Sequence, residues 1–210
     1  MTAERSEAER AASDRRRVRQ LAAFAVFALA VTLVWIVAVS TGGSSSARPT
    51  GGSPSVYPAA SIPAPRERSL SRAAASARCV LRSFPSYGSG QTGARVQYRT
   101  NPPTSGPSTP SPAADGIYDD PAGTSKLVRA LANGRVVFQF APGAPPKARG
   151  QLKALVDQDP RHLILTVNQT GMPYVLAATA WRHYLGCNTL NASTFDALRD
   201  FRDAYRDKGV

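Results

Sequence analysis

The 210-residue sequence is poor in the residue types that carry acid, base and metal chemistry. It has two histidines and two cysteines, and no glutamate occurs after Glu67. General acid or base catalysis beyond that point would therefore rest on aspartate, histidine or tyrosine. The sequence contains no C-x-x-C pair and no G-x-S-x-G elbow, which argues against a thioredoxin-like redox site and an α/β-hydrolase nucleophile.

Basic charge and one long apolar run are present instead. Lys and Arg total 26 against 14 Asp and Glu, which gives a net charge of +12. Residues 21–40 carry no charge, and a helix of that length spans about 30 Å, one hydrocarbon core. Four arginines lie just before the run, so the sequence predicts a single-pass plasma-membrane protein whose residues 1–20 are cytoplasmic and whose remainder is extracytoplasmic. Cleavage near Ala38-Val39-Ser40, as in a signal peptide, is the alternative.

The sequence predicts a disordered linker over residues 41–78 and a globular domain over residues 79–210. The linker is dominated by Ser, Gly, Pro and Ala and has no apolar period, so it cannot bury enough surface to offset its ordering entropy. The lipid bilayer is the first expected partner. The basic excess also favours an anionic cell-envelope polymer, with a neighbouring membrane protein as a further candidate. Export and the lack of basic–aromatic clusters argue against nucleic acid.

The patterns predict an α+β domain with a roughly four-stranded sheet and about three helices, in the order β-α-β-α-β-β-α. The predicted strands are residues 94–98, 135–140, 162–168 and 174–181, with the last two joined as a hairpin. The predicted helices are residues 126–132, capped by Ser125 and stopped by Gly134, residues 147–159, and a last helix that begins at Ser193 with Asp196 as its capping-box partner. A proline-rich loop fills residues 101–123.

The two cysteines predict one disulfide. Cys79 opens the domain and Cys187 precedes its last helix, and an even cysteine count in an oxidising compartment favours a bridge. Closing a loop of roughly 100 residues stabilises a fold by about 4–5 kcal/mol on the chain-entropy model. Two independent thiols are the alternative.

Four stretches of the domain carry a family resemblance: YRTNPPTSGPS with the following PAADGIYDDP, LVRALANGRVVFQF, MPYVLAATAW and FDALRDFRDAYRDKG. Together they resemble the bacterial family catalogued as domain of unknown function 3105 (DUF3105). The resemblance extends from about Cys79 to the C-terminus. It implies a membrane-anchored or exported domain of uncharacterised activity, of a kind common in actinobacteria.

The resemblance also implies a set of lost ligands. The family pattern reads N-P-P-T-S-G-x-H in the loop and L-V-H-x-L-E-H-G in the helix, and in a typical member these histidines and the glutamate would be a credible zinc or copper site. This chain has Ser108, Arg129, Ala132 and Asn133 at the four positions. None of them is a metal ligand of any strength, so the resemblance implies a degenerate member without a cofactor.

The loop keeps the rest of its motif, and it provides the candidate loop site. That site is made of Asn101, Pro102, Pro103, Thr104, Ser105 and Gly106. Ser105 with His162 or His183 and Asp115 is a hydrolytic alternative, since a triad is recognised by geometry and not by chain order. The sequence thus predicts a non-catalytic binding or structural module, with a copper- or zinc-binding or hydrolytic protein as the alternative.

Overall fold

The computed structural model describes residues 55–210, which form one compact unit. The predicted membrane run of residues 21–40 and the first part of the predicted linker lie outside the described residues. Among residues 55–210, no helix has the length and apolar character needed to cross a bilayer.

Ten elements build the domain. In chain order they are α1 (Leu70–Ser76), β1 (Val80–Ser83), β2 (Gly116–Ile117), α2 (Thr124–Ala132), β3 (Val136–Phe140), α3 (Pro146–Gln158), β4 (Leu163–Val167), β5 (Leu176–Ala180), β6 (His183–Cys187) and α4 (Ala192–Tyr205). The strands form one mixed sheet in the order β1-β6-β5-β3-β4-β2. The α+β class is confirmed, but the described residues hold six strands and four helices, not four and three.

Helices cover both faces of the sheet, which is why its central strands are apolar throughout. All five residues of β3 are buried. Alternate side chains point to opposite faces, so Phe138 packs in the core formed with α1, α3 and α4, and Val137 packs in a second core formed with α2. The predicted strand 135–140 and helix 147–159 are confirmed to within a residue or two.

The predicted hairpin between residues 162–168 and 174–181 is wrong. β4 pairs in parallel with β3, and β5 pairs antiparallel with the other side of β3, so β3 lies between the two predicted partners. The hairpin of this region joins β5 to β6 through Trp181 and Arg182, and Arg182 has a positive φ of 68°. The sequence prediction missed β6 because its HYLGC run has too few apolar residues to show as a separate strand.

Several local predictions are also corrected. Residues 94–98 form no strand, whereas the short edge strands β1 and β2 were not predicted. Ser125 does not cap α2, because Gly123 is at the N-cap and the Ser125 hydroxyl accepts the Thr109 N–H at 2.8 Å. The capping box of α4 is formed by Asn191 and Thr194, not by the predicted Ser193 and Asp196. Gly134 does end α2, with a φ of +81° that favours glycine.

The linker prediction is wrong from residue 55 onwards. Residues 55–69, here called the strap, contain no helix or strand; they contact α3 and α4 and lead into α1. The strap is tied by long-range hydrogen bonds, among them Gln151 Nε2 to the Ser61 carbonyl at 3.0 Å. Tyr57, Ala73 and Ala74 belong to the main core. The proline-rich composition therefore indicates a segment without regular structure, but not one without tertiary contacts.

Gly150 in the middle of α3 gives a test of the strap. A Cβ built there would lie 2.0 Å from the Pro58 carbonyl oxygen of the strap. Replacing an exposed helical glycine with alanine normally stabilises by about 1 kcal/mol. We expect the opposite sign here, since the strap backbone must move: Gly150→Ala should lower the free energy of unfolding by about 1–3 kcal/mol in a urea titration.

Gly143→Ala is the matched control, because a Cβ at Gly143 has no neighbour within 4 Å. Its stability should stay within about 0.5 kcal/mol of the parent protein. A stabilising Gly150→Ala would show that the strap does not lie on α3.

The predicted disulfide is confirmed. Cys79 and Cys187 are bonded, and the loop that they close has a sequence separation of 108. The bond ties the end of α1 to the end of β6. The adjacent Thr189 hydroxyl donates to the Ala77 carbonyl, which fixes the same junction.

Candidate functional site

A groove of ligand size lies at the carboxyl ends of the parallel strands β3 and β4. Open α/β sheets commonly bind ligands at this edge. Helix α2 leads into β3, so its first residues, Thr124 and Ser125, lie at the same edge. They meet Gln169 and Thr170, which follow β4, and a loop of residues 93–103. The three segments enclose a groove of about 660 Å³, here called the strand-end groove.

The strand-end groove is polar but almost uncharged. Arg95 is the one Lys, Arg, His, Asp or Glu among its lining residues. Most of the others carry a hydroxyl or an amide, namely Tyr98, Thr100, Asn101, Thr109, Thr124, Ser125, Gln169 and Thr170. Such a lining can orient a ligand by hydrogen bonds. It supplies no carboxylate or imidazole to move a proton.

A chain of neutral polar side chains connects the groove to the centre of the sheet. Asn101 Oδ1 accepts from the Thr170 hydroxyl at 2.6 Å, and that hydroxyl also lies 3.1 Å from Asn168 Oδ1. Asn168 Nδ2 donates to Gln139 Oε1 at 2.6 Å, and Gln139 Nε2 donates to the Thr179 hydroxyl at 3.2 Å. The inner three are buried, so the chain is stabilising only because its members satisfy one another.

The candidate loop site is only partly at the groove. Asn101 is exposed, and its Nδ2 donates to the carbonyls of Thr170 and Gly171 at 2.9 and 3.1 Å. Pro103 also lines the groove, although it is largely buried. Pro102, Thr104, Ser105 and Gly106 are buried as well and do not line it. The motif therefore places Asn101 and Pro103 at the groove, and its other four residues are buried without lining it.

The four positions at which the resemblance implied missing ligands fall in two places. Arg129 reaches the loop of Ser108: its Nε donates to the Thr109 carbonyl at 2.9 Å, and its Nη2 donates to the Gly90 carbonyl at 3.2 Å. Ser108 is fully buried, and its hydroxyl has no hydrogen-bond partner among residues 55–210. Ala132 is buried and its carbonyl accepts the Val210 N–H, while Asn133 is the exposed C-cap of α2.

Arg129 therefore acts as a tether between α2 and the loop that it contacts. Arg129→Met removes both guanidinium hydrogen bonds, and we expect a loss of about 1–3 kcal/mol. The loss should be local, so the amides of Thr92 and Ser108, which bond to the carbonyls of Ser108 and Gly90, should exchange hydrogen faster. Hydrogen exchange read by mass spectrometry measures this.

Lys126→Met is the control, since Lys126 is exposed on the same helix. It should leave loop exchange unchanged. Arg129→Lys should restore only part of the protection, because an ammonium lacks the forked donors that reach two carbonyls. Unchanged exchange in Arg129→Met would contradict the tether.

The members of the hydrolytic alternative have other partners. The Ser105 hydroxyl accepts the Tyr87 N–H at 3.1 Å. His162 Nδ1 lies 2.5 Å from Asp207 Oδ1, and Asp115 accepts from the His162 backbone N–H and from Arg135 Nε. These contacts do not assemble a triad around Ser105.

His183 has a separate environment at the β1–β6 edge. Its Nδ1 lies 2.8 Å from the Ser83 hydroxyl, and its ring stacks on Tyr205 at 4.1 Å between centroids. Burial, with help from Arg182 and Lys208, lowers its pKa below the ordinary value. Among residues 55–210, no three His, Cys, Asp or Glu side chains are grouped so that they would hold a metal ion.

Sequence reasoning missed the inner part of the site. Gln139, Asn168, Thr170 and Thr179 lie outside the loop motif, and their convergence depends on strand pairing. One signal was available: Gln139 is a large polar residue inside the apolar run VVFQF. A buried polar residue in a central strand needs partners, which points to a network at that position.

Comparison with known proteins gives one match. The family model described as "Protein of unknown function (DUF3105)" matches residues 90–209, which is more than half of the chain. Neither the curated proteins nor the solved structures contain a match.

Proposed function

The chain belongs to the DUF3105 family, and from that premise we propose that it is a single-pass, membrane-anchored extracytoplasmic protein whose domain is a non-catalytic binding module. The strand-end groove is its ligand site. The observation that carries the proposal is the lining of that groove, which is rich in hydrogen-bonding groups and has one charged side chain, Arg95. The apolar run at 21–40 and the disulfide support the location, since disulfides persist in oxidising compartments.

An anionic cell-envelope polymer is the proposed ligand class. Residues 79–210 hold 15 Lys and Arg against 9 Asp and no Glu, and a groove with one arginine and no carboxylate accepts anionic oxygens without repulsion. Hydroxyl and amide groups around Arg95 then select a ligand with its own hydroxyls or carbonyls. A neighbouring membrane protein is the second partner class.

Binding is tested with full-length protein in non-ionic detergent and poly-glutamate as the anionic probe, with dextran as the neutral control. We expect binding to poly-glutamate that weakens as salt rises from low to physiological concentration. Arg95→Gln and Gln169→Ala should weaken it, and Lys153→Gln on the exposed side of α3 should not. Equal binding by Arg95→Gln and the parent protein would exclude the groove.

Topology and metal content test the rest of the proposal. A C-terminal tag should be digested when protease is added to intact cells; a protected tag would contradict the extracytoplasmic location. Elemental analysis of the purified full-length protein should find no stoichiometric zinc or copper. A stoichiometric metal would instead favour the metal-binding alternative.

A further inference from the structure

A second groove lies on the opposite face of the sheet from α2. It has a volume of about 640 Å³ and lies between residues 65–70 on one side and residues 199–204 of α4 on the other, with Gln158 at its end. It shares no lining residue with the strand-end groove. We call it the strap groove, because the end of the strap forms one wall.

Both signs of charge line the strap groove in equal number. The acids are Glu67, Asp200 and Asp203, and the bases are Arg68, Arg199 and Arg202. On α4 they stand at helical spacing, so the acids form one row along the helix and the arginines form the next row. The groove thus runs beside a boundary between negative and positive charge.

Most of these charges already have partners. Glu67 pairs with Arg72 at 3.2 Å, and Asp203 Oδ1 lies 2.7 Å from Arg202 Nε. Arg199 pairs with Asp196 at 3.2 Å. The side chains of both residues are almost completely buried. The side chains of Arg68 and Asp200 are the exceptions: within the described part of the chain neither forms an ion pair, and Asp200 Oδ2 has no hydrogen-bond partner.

Unpartnered buried atoms are concentrated at this groove. Five buried side-chain nitrogen or oxygen atoms among the described residues have no hydrogen-bond partner, and three of them belong to groove residues: Arg199 Nε, Asp200 Oδ2 and Arg202 Nη1. Arg199 and Arg202 are 7% and 9% exposed. A buried polar atom without a protein partner is costly, so a bound water, an ion or a ligand group is expected to meet it.

The three free atoms have complementary chemistry. Two are N–H donors of cationic groups and one is an acceptor of a carboxylate. Burial, together with the nearby Asp196, Asp203 and Glu67, raises the pKa of Asp200 above its ordinary value, and the attraction of Arg68 offsets only part of that rise. An anion alone would be repelled by that carboxylate, and an amine alone would be repelled by the arginines.

We propose that the strap groove binds a small dipolar ligand, an amino acid or short peptide with a free ammonium and a free carboxylate. The ammonium pairs with Asp200, and the carboxylate accepts from Arg202, with Arg68 at the exposed rim. The proposal does not depend on the polymer-binding function of the strand-end groove.

Alanyl-alanine is the probe, and its two blocked forms are the controls. Isothermal titration calorimetry on the full-length protein in non-ionic detergent should show saturable binding of the free dipeptide. N-acetyl-alanyl-alanine and alanyl-alanine amide each lose one charged contact, so each should bind at least about tenfold more weakly. Absence of saturable binding, or equal affinity for the three peptides, would overturn the proposal.

Two substitutions assign the contacts. Asp200→Asn should abolish the preference over the N-acetyl peptide and keep the preference over the amide, and Arg202→Gln should do the reverse. Asp157→Asn is the control, because Asp157 is an exposed aspartate paired with Lys153 outside the groove. If Arg202→Gln does not fold, Asp200→Asn decides alone: an unchanged preference in that variant would refute the assignment. Arg95→Gln should leave dipeptide binding intact, which separates this site from the strand-end groove.

Discussion

Removing the disulfide by replacing Cys79 and Cys187 with alanine should lower the free energy of unfolding by about 4–5 kcal/mol. The bond closes a loop with a sequence separation of 108, so it removes much of the conformational freedom of the unfolded chain. A loss of this size is a large part of the stability of an ordinary domain. The thermal midpoint should fall by about 10–20 °C for a domain of this size.

Urea titration of the double variant, with circular dichroism as the readout, measures the effect. The parent protein, unfolded and refolded under reducing conditions, is the matched control, since it loses the bond but keeps both sulfurs. Agreement between the two would assign the loss to the bond and not to repacking around Cys187, which is fully buried. A loss below about 1 kcal/mol in both would mean that the unfolded chain gains little freedom from reduction.

The helix and strand at 124–140 could be predicted because every local signal there agrees. The apolar spacing of α2, the Gly134 stop and the apolar run of β3 all lie within 17 residues, and none depends on a distant partner. The order of strands could not be predicted in the same way. β3 inserts between β4 and β5 through pairings that no short stretch encodes, so neighbouring strands in sequence resembled a hairpin.

The residues of the candidate site also fall into two groups: those that a contiguous motif identifies and those that only strand pairing brings together. Asn101 was identified because its loop motif is contiguous, and it does reach the strand-end groove. Gln139 and Asn168 were not identified, although they hydrogen-bond each other at 2.6 Å, because they are 29 residues apart in the chain, one near the end of β3 and the other just after β4. Their relation is a property of the parallel register of β3 and β4.

The strap shows a different limit of sequence reasoning. Its composition is typical of disorder, and composition measures the average burial that a segment can reach. Here one aromatic side chain anchors the first part of the strap, and hydrogen bonds to Gln151, Asp196 and Arg199 hold the rest. Tyr57 is 7% exposed, its ring meets Phe140 edge-on at 5.7 Å between centroids, and its hydroxyl donates to the Tyr118 carbonyl at 2.7 Å. Burial, with Asp119 nearby, raises the Tyr57 pKa to about 12.

Tyr57→Ala should therefore destabilise the domain by about 3–5 kcal/mol, as expected for deleting a large buried aromatic side chain. Tyr57→Phe keeps the ring and loses the hydrogen bond to Tyr118, so it should cost only about 1 kcal/mol. Urea titrations of both variants measure the two effects. If Tyr57→Ala matched the parent protein, the strap would contribute no stability and the linker interpretation would be restored.

A double-mutant cycle links this effect to the contact between the strap and α3. Gly150→Ala acts by pushing on the Pro58 carbonyl, next to Tyr57 in the strap. In a protein whose strap has already been released by Tyr57→Ala, that push has nothing to displace. The normal preference of helices for alanine should then reappear, and Gly150→Ala should become neutral or stabilising. Neighbouring sites that share one contact are expected to be non-additive, whereas independent costs that simply add would show that the strap and α3 do not depend on each other.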